Sequence, residues 1–114
     1  MGILSTEQQH RANRARRRRQ SVVVEGVRFS EAWQGRLFRE LKTMQEQGSI
    51  ADLKPHPRLP LTVNGMRVDT YVALFAYKKA GQLVLIDDAS WQTGLHKLHR
   101  KLVAAIYGVS VTER

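Results

Sequence analysis

The sequence predicts an α/β domain of the α+β kind, with a central mixed sheet flanked by two helices. Three observations point there. Strand-like runs follow a helical period and meander through turn signals. A second helical period comes after the last of these runs. A short β-branched segment then closes the chain, and a helix between two strands returns the second strand to the sheet by a crossover.

The order begins with a short hairpin. Val22-Val23-Val24 is β-branched, Glu25-Gly26 is a turn signal, and Val27-Arg28-Phe29 is the return leg. Ser30 is expected to cap a helix, with Glu31 at the positive end of its dipole. Trp33, Leu37, Leu41 and Met44 recur every three or four residues and form a stripe expected to be core, ended by Gly48. Gly35 inside this helix costs about 1 kcal/mol relative to Ala, so it marks a close approach of another element.

Pro55, Pro57 and Pro60 exclude helix and favour extended chain. Asn64-Gly65 between Leu59–Val63 and the long β-rich run Met66–Tyr77 is a hairpin signal, because both residues tolerate positive φ. After a turn at Lys78–Gly81, Leu83-Val84-Leu85-Ile86 is continuously apolar, as in a strand covered on both faces. The second helix is expected over Gly94–Tyr107. Leu95, Leu98, Leu102, Ala105 and Ile106 form its apolar stripe; His96, Lys97, His99, Arg100 and Lys101 form its polar side. Val109-Ser110-Val111 is the last strand.

The chain has 114 residues and no cysteine, which excludes disulfides, thiolate metal sites and cysteine nucleophiles. No apolar run approaches the roughly 20 residues of a membrane span, and no apolar stretch follows the N-terminal charges, so neither a span nor a secretory signal is expected. Nineteen Lys and Arg against ten Asp and Glu leave +9, a balance that attracts polyanions. Residues 1–20 carry Arg11, Arg14, Arg16, Arg17, Arg18 and Arg19 against Glu7 alone and read as a basic flexible arm; residues 21–114 read as the folded domain.

Several residues hold a resemblance to a known family. They are Val24–Ser30, Glu40-Leu41-Lys42, Gly48 with Ile50 and Leu53, Leu61–Gly65, Thr70–Ala73, Phe75-Ala76-Tyr77, the apolar strand into Asp87-Asp88, and the Lys97/Lys101 helix. Over about residues 21–112 the chain resembles a small phage-associated branch of the PD-(D/E)XK nuclease superfamily, similar to Holliday-junction resolvases and Vsr-like endonucleases. The resemblance implies a restriction-endonuclease-like αβββαβ core and a bacterial host cytoplasm. It also implies a site in which carboxylates hold Mg²⁺ and a lysine helps activate water, since hard divalent cations need several oxygen ligands.

The residues at those positions do not supply this chemistry. The resemblance puts Gln34 at the helix Glu, Leu74 at the second-strand Asp, Asp87 (or Asp88) at the third-strand acid and Ser90 (or, counted from Asp88, Trp91) at the lysine. An aliphatic Leu74 cannot ligate a cation, and strand alternation keeps Asp69 from replacing it. Lys78 or Lys79 as a migrated lysine leaves the ligand deficit in place. No catalytic residue is therefore expected, and Mg²⁺ belongs only to a rearranged, active site. Asp87 and Asp88 are weak metal candidates, against a reading as solvated strand-end acids or as a partner for a nearby arginine.

What remains is binding of nucleic acid, with DNA the expected partner. The phosphate-contacting candidates are the six arm arginines, Arg36, Arg39 and Lys42 on the first helix, and Lys97, Arg100 and Lys101 on the second. The alternative is a nuclease scaffold reused to bind a host protein; the second alternative is an active endonuclease with a rearranged site. His96 and His99 are three apart but lack a third ligand, so they read as surface histidines or phosphate donors. His56 reads as loop, and His10 belongs to the arm. Ser30 and Ser90 have no nucleophile context. Trp91 is either a stacking or anchoring side chain or a lid on the core.

Overall fold

The computed structural model describes residues 21–114. The arm at 1–20, with its six arginines and His10, lies outside the described residues. The chain divides into two compact units, with the boundary between Leu41 and Lys42.

In the first unit, β1 (Val22–Val24) and β2 (Val27–Phe29) pair antiparallel, Val22 opposite Phe29 and Val24 opposite Val27. Helix α1 (Ala32–Glu46) follows and turns Gln34, Gly35, Leu37, Phe38 and Leu41 inward. Phe29 and Phe38 stack at a tilt, 5.3 Å between ring centres. A Cβ on Gly35 would lie 2.9 Å from Val24 Cγ2 and 3.0 Å from Val22 Cγ2, so the hairpin does approach the helix closely at this glycine. Two expectations fail here. Trp33 is half-buried, not core, and its indole donates to the Glu31 carboxylate. Ser30 does not accept from a helix amide; its N–H and hydroxyl both donate to Gln34 Oε1, at 3.2 and 3.1 Å.

The second unit opens with the last turn of α1, closed by Gly48 N–H on Gln45 O and Ser49 N–H on Met44 O. It then contains β3 (Ala51–Pro55), β4 (Arg58–Val63), β5 (Met66–Val72), β6 (Phe75–Lys79), β7 (Gln82–Asp87), α2 (Gly94–Tyr107) and β8 (Val111–Glu113). The four-stranded sheet runs β3-β6-β7-β8, antiparallel except for the β7–β8 pair, which is parallel across the α2 crossover. The mixed sheet of the sequence reading is present, but its composition differs.

Leu59–Val63 does not enter the sheet. It pairs with β5 as a separate hairpin, whose tip has φ of 51° at Asn64 and 77° at Gly65. The run Met66–Tyr77 breaks at Ala73-Leu74, so that β5 serves the hairpin and β6 the sheet. The first sheet strand is instead Ala51–Pro55, whose polar and proline-flanked sequence hides it. It joins β6 through a register shift between Ala51 and Lys54. The core of this unit is Leu59, Leu61, Tyr71, Ala73, Ala76, Leu85 and Val103, with Leu83, Leu102, Val109 and Val111 packed around it.

Gly35→Ala tests the close approach. Helix propensity favours alanine by about 1 kcal/mol, whereas overpacking two valine methyls costs about 1–3 kcal/mol. We expect net destabilisation in urea unfolding, reduced when Val24→Ala opens the space.

Candidate functional site

Asp87 is the last residue of β7 and is fully buried. Side chains alternate along a strand. Leu85, two residues back, sits in the core cluster with Val103 of α2, so Asp87 points to the same helix. Leu74, Phe75 and Ile86 are also fully buried but lie outside that cluster. The acid carried over by the resemblance therefore looks toward α2.

Four groups meet Asp87. Tyr71 donates its hydroxyl to Oδ2 at 2.6 Å, and His96 Nε2 meets the same oxygen at 2.6 Å. Arg100 Nε stands 3.7 Å from it. The Asp88 amide donates to Oδ1 at 3.1 Å. An unpaired buried carboxylate costs several kcal/mol, so these partners are what make its burial tolerable. Asp88, nearly as buried, accepts the Ser90 amide at 2.8 Å and the Ser90 hydroxyl at 2.6 Å on Oδ1. Neither acid is a solvated strand-end group: both are buried and engaged within the protein, and Asp87 has the nearby arginine that the alternative reading named.

Helix α2 starts at Thr93, whose hydroxyl accepts His96 N–H, and ends at Gly108. Its bounds agree with the helical period, but its rotation differs from the expected one: of the apolar stripe only Leu102 packs on the core, and Leu95, Leu98, Ala105 and Ile106 are exposed. His99 and Val103 are its buried residues, and His96 and Arg100 share their face. Leu95 and Leu98 are 62% and 51% exposed, and Ile106 is exposed as well. Polar residues at 96, 99 and 100 face inward because carboxylates wait for them. His96 meets Asp87, His99 Nε2 meets Asp69 Oδ2 on β5 at 2.8 Å, and Arg100 pairs with Glu113 of β8. Arg100 Nη2 also donates to Trp91 O at 2.5 Å.

These contacts settle where several candidates lie. The two histidines serve two different carboxylates, so they are neither a joint ligand pair nor surface histidines. Arg100, grouped with the phosphate contacts, is turned inward and 11% exposed. Lys97 and Lys101 are exposed. Arg36 and Arg39 are exposed along a groove beside β1, and Lys42 is half-buried. Gln34 is buried and accepts from Ser30, and Ser90 is exposed. Lys78 and Lys79 are exposed, with Lys78 3.8 Å from Asp52. Trp91 is half-buried, edge-on to His96 at 5.3 Å. Among the described residues no group of three or more His, Asp or Glu is placed to hold a metal ion, and no helix is long and apolar enough to cross a membrane.

Environment shifts three groups. Burial, then the Asp87 hydrogen bond and charge, pushes the Tyr71 phenol far up. The Thr70 amide, then His99, holds the Asp69 carboxyl below its usual range. Burial pushes His56 down. Tyr71 and Glu113 were not singled out in the sequence as site residues, and Asp69 was weighed there only as a stand-in at the Leu74 position. The available signal was that an acid ending an apolar strand needs partners, and that 96, 99, 100 and 103 share one helical face.

No protein-family model, curated protein or solved structure matches the chain.

The Tyr71 shift has a definite sign. Its folded value lies above the unfolded 10.0, so as pH rises past 10 the unfolded phenol ionises and the native one does not. Stability should fall with pH in that window, and Tyr71→Phe should remove that component. Of the three tyrosines, Tyr71 should give its tyrosinate absorbance only on unfolding. For Asp69 the sign is opposite: its contribution holds above the ordinary carboxyl range and is lost as pH falls through the lowered native value. Asp69→Asn should flatten the acid limb of a denaturation profile.

Proposed function

We propose that the protein binds nucleic acid on a restriction-endonuclease-like scaffold that does not cut. The observation that carries this reading is chemical. Leu74, at the position where the resemblance would put a cation-binding carboxylate, is a fully buried leucine, on a chain of net charge +9. Without oxygen ligands a divalent ion gains nothing by shedding its water. Lysines and arginines attract phosphates whether or not a metal is present.

The topology supports the scaffold. With the β4–β5 hairpin set aside, the order is α1, β3, β6, β7, α2, β8, which reads αβββαβ, and the strands lie in sequence order in the sheet. The engagement of Asp87 by Tyr71 and His96 favours the loss of cleavage. Phosphate contacts position a protein without reading sequence, so the reading includes no base preference.

A second reading, a scaffold reused to bind a host protein, is favoured by one observation. The outer face of α2 exposes Leu95, Leu98 and Ile106, and apolar residues grouped on a surface mark interaction sites.

Binding to labelled duplex DNA across a salt series tests the proposal. Affinity should fall steeply with salt, with deletion of 1–20 reducing the slope. No Mg²⁺- or Mn²⁺-dependent nicking should appear. Cleavage abolished by Asp87→Ala would instead establish an active, rearranged site. Absence of DNA binding with specific recovery of one host protein would establish the second reading.

A further inference from the structure

We infer that phosphates are held in the groove between the lysine flank of α2 and the edge strand β8, with Lys97 and Lys101 as the contacting cations and Arg100 as a positioning residue; this rests on the nucleic-acid reading above. The groove is lined by Gln92, Lys97, Lys101, Ala104, Ser110 and Val111, with Arg100 and Glu113. Residues four apart on a helix stand about 5–6 Å apart at Cβ. The two exposed ammonium groups therefore sit one turn apart along one wall, suited to two phosphates of one strand.

The groove's single carboxylate is already neutralised. Glu113 pairs with Arg100 and accepts Gln92 Nε2 at 3.1 Å. Arg100 is held in turn by the Trp91 carbonyl and by its approach to Asp87. Its charge is spent inside the protein, and what it contributes to the groove is the removal of an acid that would repel phosphate. Lys97 and Lys101 then act unopposed by any acid on α2, which contains none.

The same chemistry disfavours a protein in this groove. Protein interfaces concentrate their energy in aromatic or arginine anchors seated in dry pockets. Here the apolar lining is only Ala104 and Val111, and the one arginine is engaged elsewhere. Flexible ammonium groups beside a serine hydroxyl suit a ligand that offers many equivalent anionic oxygens.

The test is a salt series with the full chain and two probes, a labelled DNA duplex and a labelled single strand. Lys97→Gln with Lys101→Gln should lower the slope of log K against log salt by nearly 2 on duplex and by less on single strand, at about 0.9 and 0.7 per contact. A charge-matched control, Arg67→Gln with Lys79→Gln, should change it little. Circular dichroism of each variant checks the fold. An equal loss of slope in both pairs would mean that net charge alone drives binding, and would overturn the groove while leaving the nucleic-acid reading intact. Binding to poly-glutamate but to neither DNA probe would overturn both.

Discussion

A carboxylate with no access to water governs residues 42–114. Asp87 ends β7, and around it gather a tyrosine from the hairpin, a histidine and an arginine from α2, and the β8 glutamate that shares that arginine. Four elements, β5, β7, α2 and β8, are thereby tied to one point. Removing any partner leaves polar groups buried without compensation, which costs more than the bond itself contributes. The left-over is visible: Arg100 Nε, 3.7 Å from Asp87, is a buried side-chain nitrogen without a hydrogen bond among the described residues. The network is nearly satisfied, with its slack in one place.

That centre also accounts for what the sequence revealed and what it concealed. Gly35 was legible because a glycine inside an apolar helical stripe has few explanations, and two valine methyls provide one. Asn64-Gly65 was legible because few residue pairs accept two positive φ values. The bounds of α2 were legible from its period, but its rotation was not. Hydropathy assumes that apolar residues seek the interior, and here three carboxylates outweigh them. The strand Ala51–Pro55 escaped notice because its residues are mostly exposed and its identity comes from pairing with β6. Strand propensity is largely a statement about neighbours.

The candidate site was legible as a list of charges, not as an arrangement. Lys97, Arg100 and Lys101 look alike in sequence, yet one is internal and two face solvent. Asp87 looked like the remnant of a metal site. In place it is the buried acceptor of a tyrosine and a histidine, which both occupy the same carboxylate oxygen. Neither distinction is available without knowing which carboxylate each cation meets.

Docking α2 through its polar side has a thermal consequence. A helix seated on oily surface hides apolar area, and that area makes unfolding heat capacity large and stability strongly curved with temperature. Here Leu95, Leu98 and Ile106 are wet in the native state already. Their hydration changes little when the helix detaches, so what α2 adds to the curvature comes from its inner side, from Val103 in the core and Leu102 packed beside it. Directional bonds also resist sliding: a shift of one residue along the helix would break the contacts of His96, His99 and Arg100 together.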